Sequence, residues 1–222
     1  MPVVEKQYLV LADSLGVHDG LEELVKPYRD SMQAAIKRPI VYNQHLLKKQ
    51  LPESGLGNLL ADILLERSRL IFGELDMAML NYGGIRAALP AGEIQIGHLM
   101  EVLPFQNYIS VVEMEGELLL EFFHHWASKG GTPMSGTRYC IVEGKATQVV
   151  LNGYPLRKDM KYRVVMPDYV AKGGDGCGFL EQALCQEHSS ILLFDLVLEA
   201  LTEMGNRADT LNYTLDGRIC IQ

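Results

Sequence analysis

The sequence predicts a mixed α/β fold, with α+β sheets and packed helices, and three observations favour it. Apolar residues recur at helical spacing, most clearly at i, i+3, i+4, i+7 and i+8 over residues 56–64. Short apolar or alternating runs typical of strands lie between such segments, for example at 76–80 and 161–166. Because these elements alternate irregularly, we interpret residues 21–222 as one mixed domain, preceded by an N-terminal extension over residues 1–20.

The elements follow from their local patterns. Residues 21–36 predict an amphipathic helix, in which we expect a kink or a restart at Pro27, since proline lacks a backbone N–H. Ser54 is a suitable N-cap for the helix that contains the 56–64 stripe. The remaining predicted elements are strands at 40–42, around 94–96, at 108–114, 138–142, 147–151 and 218–221, and helices at 97–103, 115–129 and 190–204.

Composition narrows the classes of partner. The chain has 20 Lys and Arg against 28 Asp and Glu, a net charge of −8, so we predict no nucleic-acid partner. No apolar run approaches the length of a membrane span, and the first residues lack the basic-then-apolar order of a signal peptide. We therefore predict neither a membrane span nor a signal peptide in this chain.

Four cysteines occur, and none forms a C-x-x-C pair of the kind found in zinc ribbons or thioredoxin-type sites. They are Cys140, Cys177, Cys185 and Cys220. Scattered cysteines are compatible with free buried thiols, or with one or two disulfides in an exported protein. We favour free thiols.

Two glycine-rich segments are the main candidates for a binding site. The first, Asn81-Tyr82-Gly83-Gly84-Ile85-Arg86, directly follows the strand predicted at 76–80. The second lies at 172–178 and contains Gly174 and Asp175. Glycine at a strand end lets the backbone adopt positive φ and approach a ligand closely. A plain Gly-Gly turn is the alternative reading of the first segment.

An aromatic residue lies near each glycine-rich segment. Phe105 and Tyr169 offer two faces between which a flat ring could stack. Asn107 is suited to a base edge, and Asp175 to a ribose diol, because a carboxylate accepts from both hydroxyls. The alternative is that both aromatic residues belong to the core.

Catalytic metal chemistry has no support in the sequence. A dinuclear metallohydrolase needs several His, Asp and Asn ligands held close together, usually with D-x-H and H-x-H pairs, and neither pair occurs. His124 and His125 are adjacent on a predicted helix, so they point about 100° apart and cannot share one metal. We predict no catalytic residue, no metal ligand and no cofactor in this chain.

Four motifs together resemble the C-terminal, substrate-binding domain of the 5′-nucleotidase family, which includes UDP-sugar hydrolases. They occur in the family's order at about its spacing, and the resemblance covers roughly residues 20–222. They are Glu53-Ser54-x-Leu56-Gly57-Asn58-Leu59-x-Ala61-Asp62, Asn81-x-Gly83-Gly84-Ile85-Arg86, Val102-Leu103-Pro104-Phe105-x-Asn107 and Gly173-Gly174-Asp175-Gly176.

The resemblance implies a role for each matching residue. Phe105 and Tyr169 would sandwich the nucleobase, Asn107 would contact it, and Asp175 would bind the ribose hydroxyls. Asn81 and Arg86 would line the ribose and phosphate side, and the turn at Gly136 would line the base pocket. The substrate-binding residues expected from the resemblance are Asn81, Gly83, Gly84, Arg86, Phe105, Asn107, Gly136, Tyr169, Gly174 and Asp175.

Two departures from the family pattern affect the expected function. Family members usually carry another arginine just before the Glu53 motif, where this chain has Lys48, Lys49 and Gln50. The roughly fifty residues before Glu53 are also too few for the family's metallophosphoesterase domain, which holds two metal ions and the catalytic residues.

The resemblance therefore implies a recognition subunit that is not catalytic alone. It would bind a nucleoside or nucleotide and act with a separate metallophosphoesterase chain, which would carry the divalent metals, as a hydrolase in nucleotide catabolism. It also implies export to the periplasm or cell surface. The alternatives are a stand-alone nucleoside-binding module and a degenerate scaffold without a ligand. The joint presence of the site residues argues against the scaffold.

Overall fold

The computed structural model describes residues 19–222, so most of the extension predicted at 1–20 lies outside the described residues. Contacts divide the chain into two units, one up to Lys37 and one from Arg38 to Gln222. This division lies later in the chain than residue 21, where we predicted the domain to begin. The two units are described separately.

The first unit contains helix α1, Asp19–Ile36. Its apolar side chains recur at helical spacing and are exposed: Leu21, Leu24, Val25, Tyr28 and Met32. Pro27 lies inside this single helix, so the restart expected there is wrong. The fixed φ of proline is close to the helical value, and its cost is a lost hydrogen bond and crowding of the preceding turn.

The second unit contains all the other elements. Its helices are α2 (Gly55–Phe72), α3 (Ile96–Val102), α4 (Gly116–Ser128), α5 (Asp168–Ala171) and α6 (Leu193–Asn206). Its strands are β1 (Pro39–Asn43), β2 (Met77–Met79), β3 (Gly92–Gln95), β4 (Tyr108–Glu115), β5 (Met134–Ser135), β6 (Thr137–Val142), β7 (Lys145–Leu151), β8 (Tyr154–Pro155), β9 (Lys161–Pro167), β10 (Cys185–Leu192), β11 (Thr210–Leu211) and β12 (Ile219–Ile221).

A five-stranded sheet in the order β10-β4-β9-β2-β5 forms the centre of this unit. Strands β2 and β9 are parallel, and the other neighbours are antiparallel. Two smaller sheets have the orders β11-β1-β3 and β12-β6-β7-β8. The mixed fold predicted from the sequence is confirmed. The strands predicted at 138–142 and 147–151 are β6 and β7, which pair antiparallel.

The two faces of the central sheet belong to two different hydrophobic cores. Alternate residues of a strand point to opposite faces. Ala78 and Val165 accordingly pack in the core that contains α2 and α6, whereas Met77 and Val164 pack in the core that contains α4. Ser54 caps α2 as predicted, since its hydroxyl accepts from the Gly57 N–H at 3.0 Å.

Two further sequence predictions are wrong. The helix predicted from residue 190 begins at Leu193, because the preceding residues form the edge strand β10. Cys140 and Cys220 form a disulfide, so the prediction of free thiols is wrong for this pair. The two cysteines are register partners in β6 and β12, with their Cα atoms 4.5 Å apart. Cys177 and Cys185 are free.

Among residues 19–222, no helix combines the length and apolar character that crossing a bilayer requires.

Candidate functional site

Three connections meet at one edge of the central sheet. One follows the carboxyl end of β2, another follows β9, and the third leads into the amino end of β4, which runs antiparallel to β9. These directions bring all three connections to the same edge. They enclose a cavity of about 290 Å³ lined by Asn81, Gly83, Gly84, Phe105, Asn107, Tyr169 and Asp175. The structure thus brings together seven of the ten residues expected in the site.

A hydrogen bond joins the two glycine-rich segments across this cavity. The Asn81 amide Nδ2 donates to Asp175 Oδ2 at 2.7 Å, and the Tyr169 hydroxyl donates to Asp175 Oδ1 at 3.2 Å. Both carboxylate oxygens therefore have a donor while the carboxylate still faces the cavity. Each oxygen accepts more than one hydrogen bond, so a ligand hydroxyl can be accommodated as well.

The backbone of Asp175 has an uncommon conformation. Its φ is +53° and its ψ is 26°, in the left-handed region that aspartate and asparagine tolerate better than most residues. Its carbonyl accepts from His125 Nε2 at 3.0 Å and from Lys129 Nζ at 2.7 Å. Burial lowers the pKa of His125. These two contacts hold the loop that presents the carboxylate.

His125 and Lys129 were missed as site residues by the sequence analysis. His125 lies in the last turn of α4 and Lys129 directly follows that helix, both far in sequence from Asp175. The sequence carries one weak signal for them. Their i, i+4 spacing predicts that both lie on one helix face.

The two aromatic rings of the site are not core residues. Phe105 is 49% exposed and Tyr169 is 47% exposed, and both line the cavity. Gly174 lets the tyrosine ring lie against the loop, since a Cβ there would come within 2.6 Å of two ring atoms. The alternative of buried core aromatics is therefore wrong for both residues.

The first glycine-rich segment forms a single 3-10 turn, Tyr82–Gly84. A Cβ at Gly83 or Gly84 would lie 3.3 or 3.2 Å from the Asn81 amide group, tighter than ordinary van der Waals contact. The glycines leave that amide free to reach Asp175. Lys49 supports the turn, because its ammonium donates to the carbonyls of Tyr82 and Ile85 at 3.2 and 2.8 Å.

Three expected site residues lie outside the lining of the cavity. Gly174 is next to Asp175, and a Cβ at this position would meet the carbonyl and the ring of Tyr169. The guanidinium carbon of Arg86 lies 6.0 Å from the centroid of the Phe105 ring, within cation–π range. Gly136 lies elsewhere: it lines a separate cavity of about 250 Å³ beside Asp62 and Arg218. The expectation that Gly136 lines the base pocket is therefore wrong.

The polar network of that separate cavity is a structural one. Arg218, with only 11% of its side chain exposed, donates to Asp62 Oδ1 and Oδ2 at 2.7 and 3.1 Å and to Asp216 Oδ2 at 2.8 Å. The hydrogen bond that Arg218 donates to Asp216 lowers the pKa of Asp216. Ser135, beside Gly136, also donates to Asp62, at 2.6 Å. In residues 19–222, His, Cys, Asp and Glu form no group of three that could hold a metal ion.

The cavity lined by Phe105 and Tyr169 combines a few convergent polar groups with aromatic rings. Such a cavity is typical of small-molecule binding domains. Residues 34–182 match the family described as 5′-nucleotidase, C-terminal domain. The chain belongs to this family, which confirms the resemblance inferred from the four motifs.

Relatives and solved structures agree with this assignment. The chain is 26% identical to the 5′-nucleotidase of Vibrio cholerae over 182 residues, which cover 78% of this chain and 32% of the relative. It is 32% identical to cell wall protein Lmo0130 of Listeria monocytogenes over 148 residues, which cover 59% of this chain and 19% of the relative. The chain spans about a third of the length of the curated 5′-nucleotidases that it matches.

Its fold is similar to that of the 5′-nucleotidase precursor from Thermus thermophilus, with a TM-score of 0.78 and 27% identity. That match covers 91% of this chain and 43% of the other. The Haemophilus influenzae NAD nucleotidase has the same fold, with a TM-score of 0.71 at 16% identity, over 92% of this chain and 41% of the other.

Proposed function

We propose that this domain recognises ribonucleosides and nucleotides in the cavity between Phe105 and Tyr169. The observation that carries the proposal is the shared cavity itself. Two half-exposed aromatic rings and the oriented carboxylate of Asp175 line one space of about 290 Å³. The base would stack between the rings, Asn107 would contact its edge, and Asp175 would accept from the ribose hydroxyls.

The phosphate of a nucleotide would lie on the side of Asn81 and Arg86. Arg86 has no ion-pair partner among residues 19–222, and its only close charge interaction there is with the Phe105 ring. A guanidinium without a carboxylate partner can form paired hydrogen bonds to a phosphate. A 5′-phosphate would therefore add affinity over the nucleoside.

The expected affinity is modest. Stacking contributes about 1–3 kcal/mol per base, and each charge-assisted hydrogen bond about 1.5–3 kcal/mol. The loss of translational and rotational freedom offsets much of this gain. We expect dissociation constants in the micromolar-to-millimolar range, about −4 to −8 kcal/mol.

Within this proposal, the domain is the recognition part of a 5′-nucleotidase-type phosphohydrolase in nucleotide catabolism. A separate metallophosphoesterase chain would supply the divalent metals and the catalytic residues. The relatives' names support a hydrolase role, and their greater length leaves room for a further domain. Export is supported by one similar structure being called a precursor and one relative a cell wall protein.

Calorimetric titration with adenosine tests the proposal directly. We expect binding by the wild type and a loss of about 1–3 kcal/mol in Phe105→Ala and in Tyr169→Ala, because each removes one stacking face. Tyr154→Ala is the matched control, since Tyr154 is an exposed tyrosine that does not line the cavity. No binding by the wild type at millimolar adenosine would overturn the proposal.

A further inference from the structure

The segment that follows helix α4 contacts both glycine-rich segments or the residues next to them. At its start, Lys129 donates to the backbone carbonyl of Asp175 at 2.7 Å. Further along, the Thr132 hydroxyl donates to the carbonyl of Leu80 at 2.6 Å. Leu80 directly precedes Asn81, whose side chain donates to the Asp175 carboxylate at 2.7 Å. These hydrogen bonds and the chain between them form a closed circuit through Asn81 and Asp175.

The Thr132 hydroxyl supplies a hydrogen bond that the sheet itself cannot make. Strands β2 and β5 pair antiparallel, with Met79 opposite Met134. The Leu80 N–H continues this ladder, since it donates to the Pro133 carbonyl at 2.9 Å. In such a pair the opposite residue normally returns a second N–H···O bond, but proline has no N–H. The Leu80 carbonyl accepts from Thr132 instead.

Burial prevents water from taking the place of this hydroxyl. Thr132 is 0% exposed and Leu80 is 2% exposed. Without the hydroxyl, the Leu80 carbonyl would be buried and without a donor, which is costly enough to shift the backbone. Such a shift is passed to Asn81, the next residue. The contact of Asn81 with Asp175 would weaken, because a hydrogen bond depends steeply on distance and angle.

The other side of the Asn81–Asp175 contact is held from the same segment, since Lys129 fixes the backbone of Asp175. We propose that Thr132 is a positioning residue for ribose recognition. Through the Leu80 carbonyl it keeps Asn81 within hydrogen-bond distance of Asp175, and so orients the carboxylate that accepts from the ribose diol. Thr132 does not line the cavity itself. This proposal rests on the proposed nucleoside binding.

Two ligands that differ only in the diol isolate this role. Adenosine carries both ribose hydroxyls, whereas 2′,3′-dideoxyadenosine lacks them and keeps the base and the sugar ring. The ratio of their affinities, measured by calorimetry, reports the contact with Asp175. Thr132→Val keeps the shape of the side chain and removes its hydroxyl. We expect it to lower this ratio by about threefold to tenfold, while 2′,3′-dideoxyadenosine binds as it does to wild type.

Two further variants restore the missing donor. Thr132→Ser keeps a hydroxyl, and Pro133→Ala added to Thr132→Val provides the backbone N–H that proline lacks. Each should return the ratio to within about twofold of wild type. A general loss of stability would not follow this pattern, because the double variant carries more substitutions than Thr132→Val and yet should recover.

Thr137→Val is the matched control. Thr137 is also buried, and its hydroxyl also donates to a backbone carbonyl, that of Val150 at 2.9 Å. It lines the separate cavity beside Arg218, so removing its hydroxyl should leave the ratio unchanged. One unpaired buried carbonyl costs less than the stability of a typical domain, and urea denaturation of each variant checks that it is folded when titrated.

Three outcomes would overturn the positioning role while leaving nucleoside binding intact. They are an unchanged ratio in folded Thr132→Val, an equal fall in Thr137→Val, and no recovery in either variant that restores the donor. Absence of adenosine binding by the wild type would overturn the proposed function and the positioning role together.

Discussion

The side-chain amide of Asn81 donates a 2.7 Å hydrogen bond to the carboxylate of Asp175, across 94 residues of sequence. Asn81 is only 5% exposed, so this contact lies at the buried end of the cavity. It fixes the orientation of the carboxylate before any ligand is present. The two glycine-rich segments thus form one structural unit, which makes their individual contributions testable.

Replacing Asp175 should separate ribose recognition from base recognition. Asp175→Asn keeps a residue that tolerates the left-handed backbone but removes the charge. We expect it to weaken adenosine by about 1.5–3 kcal/mol and to leave adenine unchanged, because only the riboside presents a diol. Asp175→Ala should give the same pattern. Calorimetry with both ligands measures this, and equal losses for adenine and adenosine would rule out the ribose assignment.

Gly174→Ala should act on the base instead. Its Cβ would come within 2.4 Å of the Tyr169 carbonyl oxygen and within 2.6 Å of two Tyr169 ring atoms, and would displace that residue with its ring. We expect adenine and adenosine to weaken equally, by about 1–3 kcal/mol, since stacking is common to both. Gly178→Ala is the control, because a Cβ there meets no atom within 4 Å. Equal affinities in the two variants would contradict the role assigned to Gly174.

Arg218 should be important for stability rather than for binding. Arg218→Leu leaves the partly buried Asp62 without its cation, and we expect a loss of about 3 kcal/mol in the free energy of unfolding, the lower end for a buried pair. Arg207→Leu is the control, since its ion pair with Asp209 is exposed and should contribute less than about 1 kcal/mol. Urea denaturation measures both. Similar losses in the two variants would contradict the assignment.

The same network predicts a pH dependence. Arg218 lowers the pKa of Asp216 in the folded state. A lowered pKa stabilises the fold above the unfolded-state value, about 3.9, and this contribution is lost as the pH falls through the folded-state pKa. The stability difference between wild type and Arg218→Leu should therefore narrow below about pH 4. A constant difference from about pH 7 to about pH 3 would disagree with this expectation.

The disulfide should stabilise the domain by restricting the unfolded chain. Cys140 and Cys220 are 80 residues apart, and closing a loop of that size corresponds to about 4.5 kcal/mol at most. We expect the double variant Cys140→Ala, Cys220→Ala to unfold at lower temperature and lower denaturant concentration. Cys185→Ser, at an exposed free cysteine, is the control. Identical melting curves for the double variant and wild type would contradict this prediction.

The sequence was sufficient where a pattern is local. The apolar stripe after Ser54 predicted α2 and its cap, because both depend on residues a few positions apart. Strand β10 was missed because an edge strand pairs on one side only and needs little apolar alternation. Its residues Cys185–Leu192 are mostly polar and partly exposed.

Long-range partners set the limit of the sequence analysis. The pairing of Cys140 with Cys220 depends on β12 lying parallel to β6, which no local pattern specifies. Likewise, Gly136 has the positive φ expected of a turn glycine, but its place between β5 and β6 puts it beside another cavity. The glycine-rich segments were recognised as a pair through their motifs. The hydrogen bonds from His125 and Lys129 to the Asp175 carbonyl, in contrast, depend on tertiary packing.

The segments that carry the two aromatic rings are attached to neighbouring ends of a hydrogen-bonded strand pair. Ile109, at the start of β4, is the register partner of Pro167 at the end of β9, and the Tyr108 N–H donates to Asp168 at 3.0 Å. Phe105 precedes one of these strands and Tyr169 follows the other, so the sheet holds the two segments that carry the rings beside each other. Little backbone conformational entropy is therefore lost when a flat ring enters the cavity.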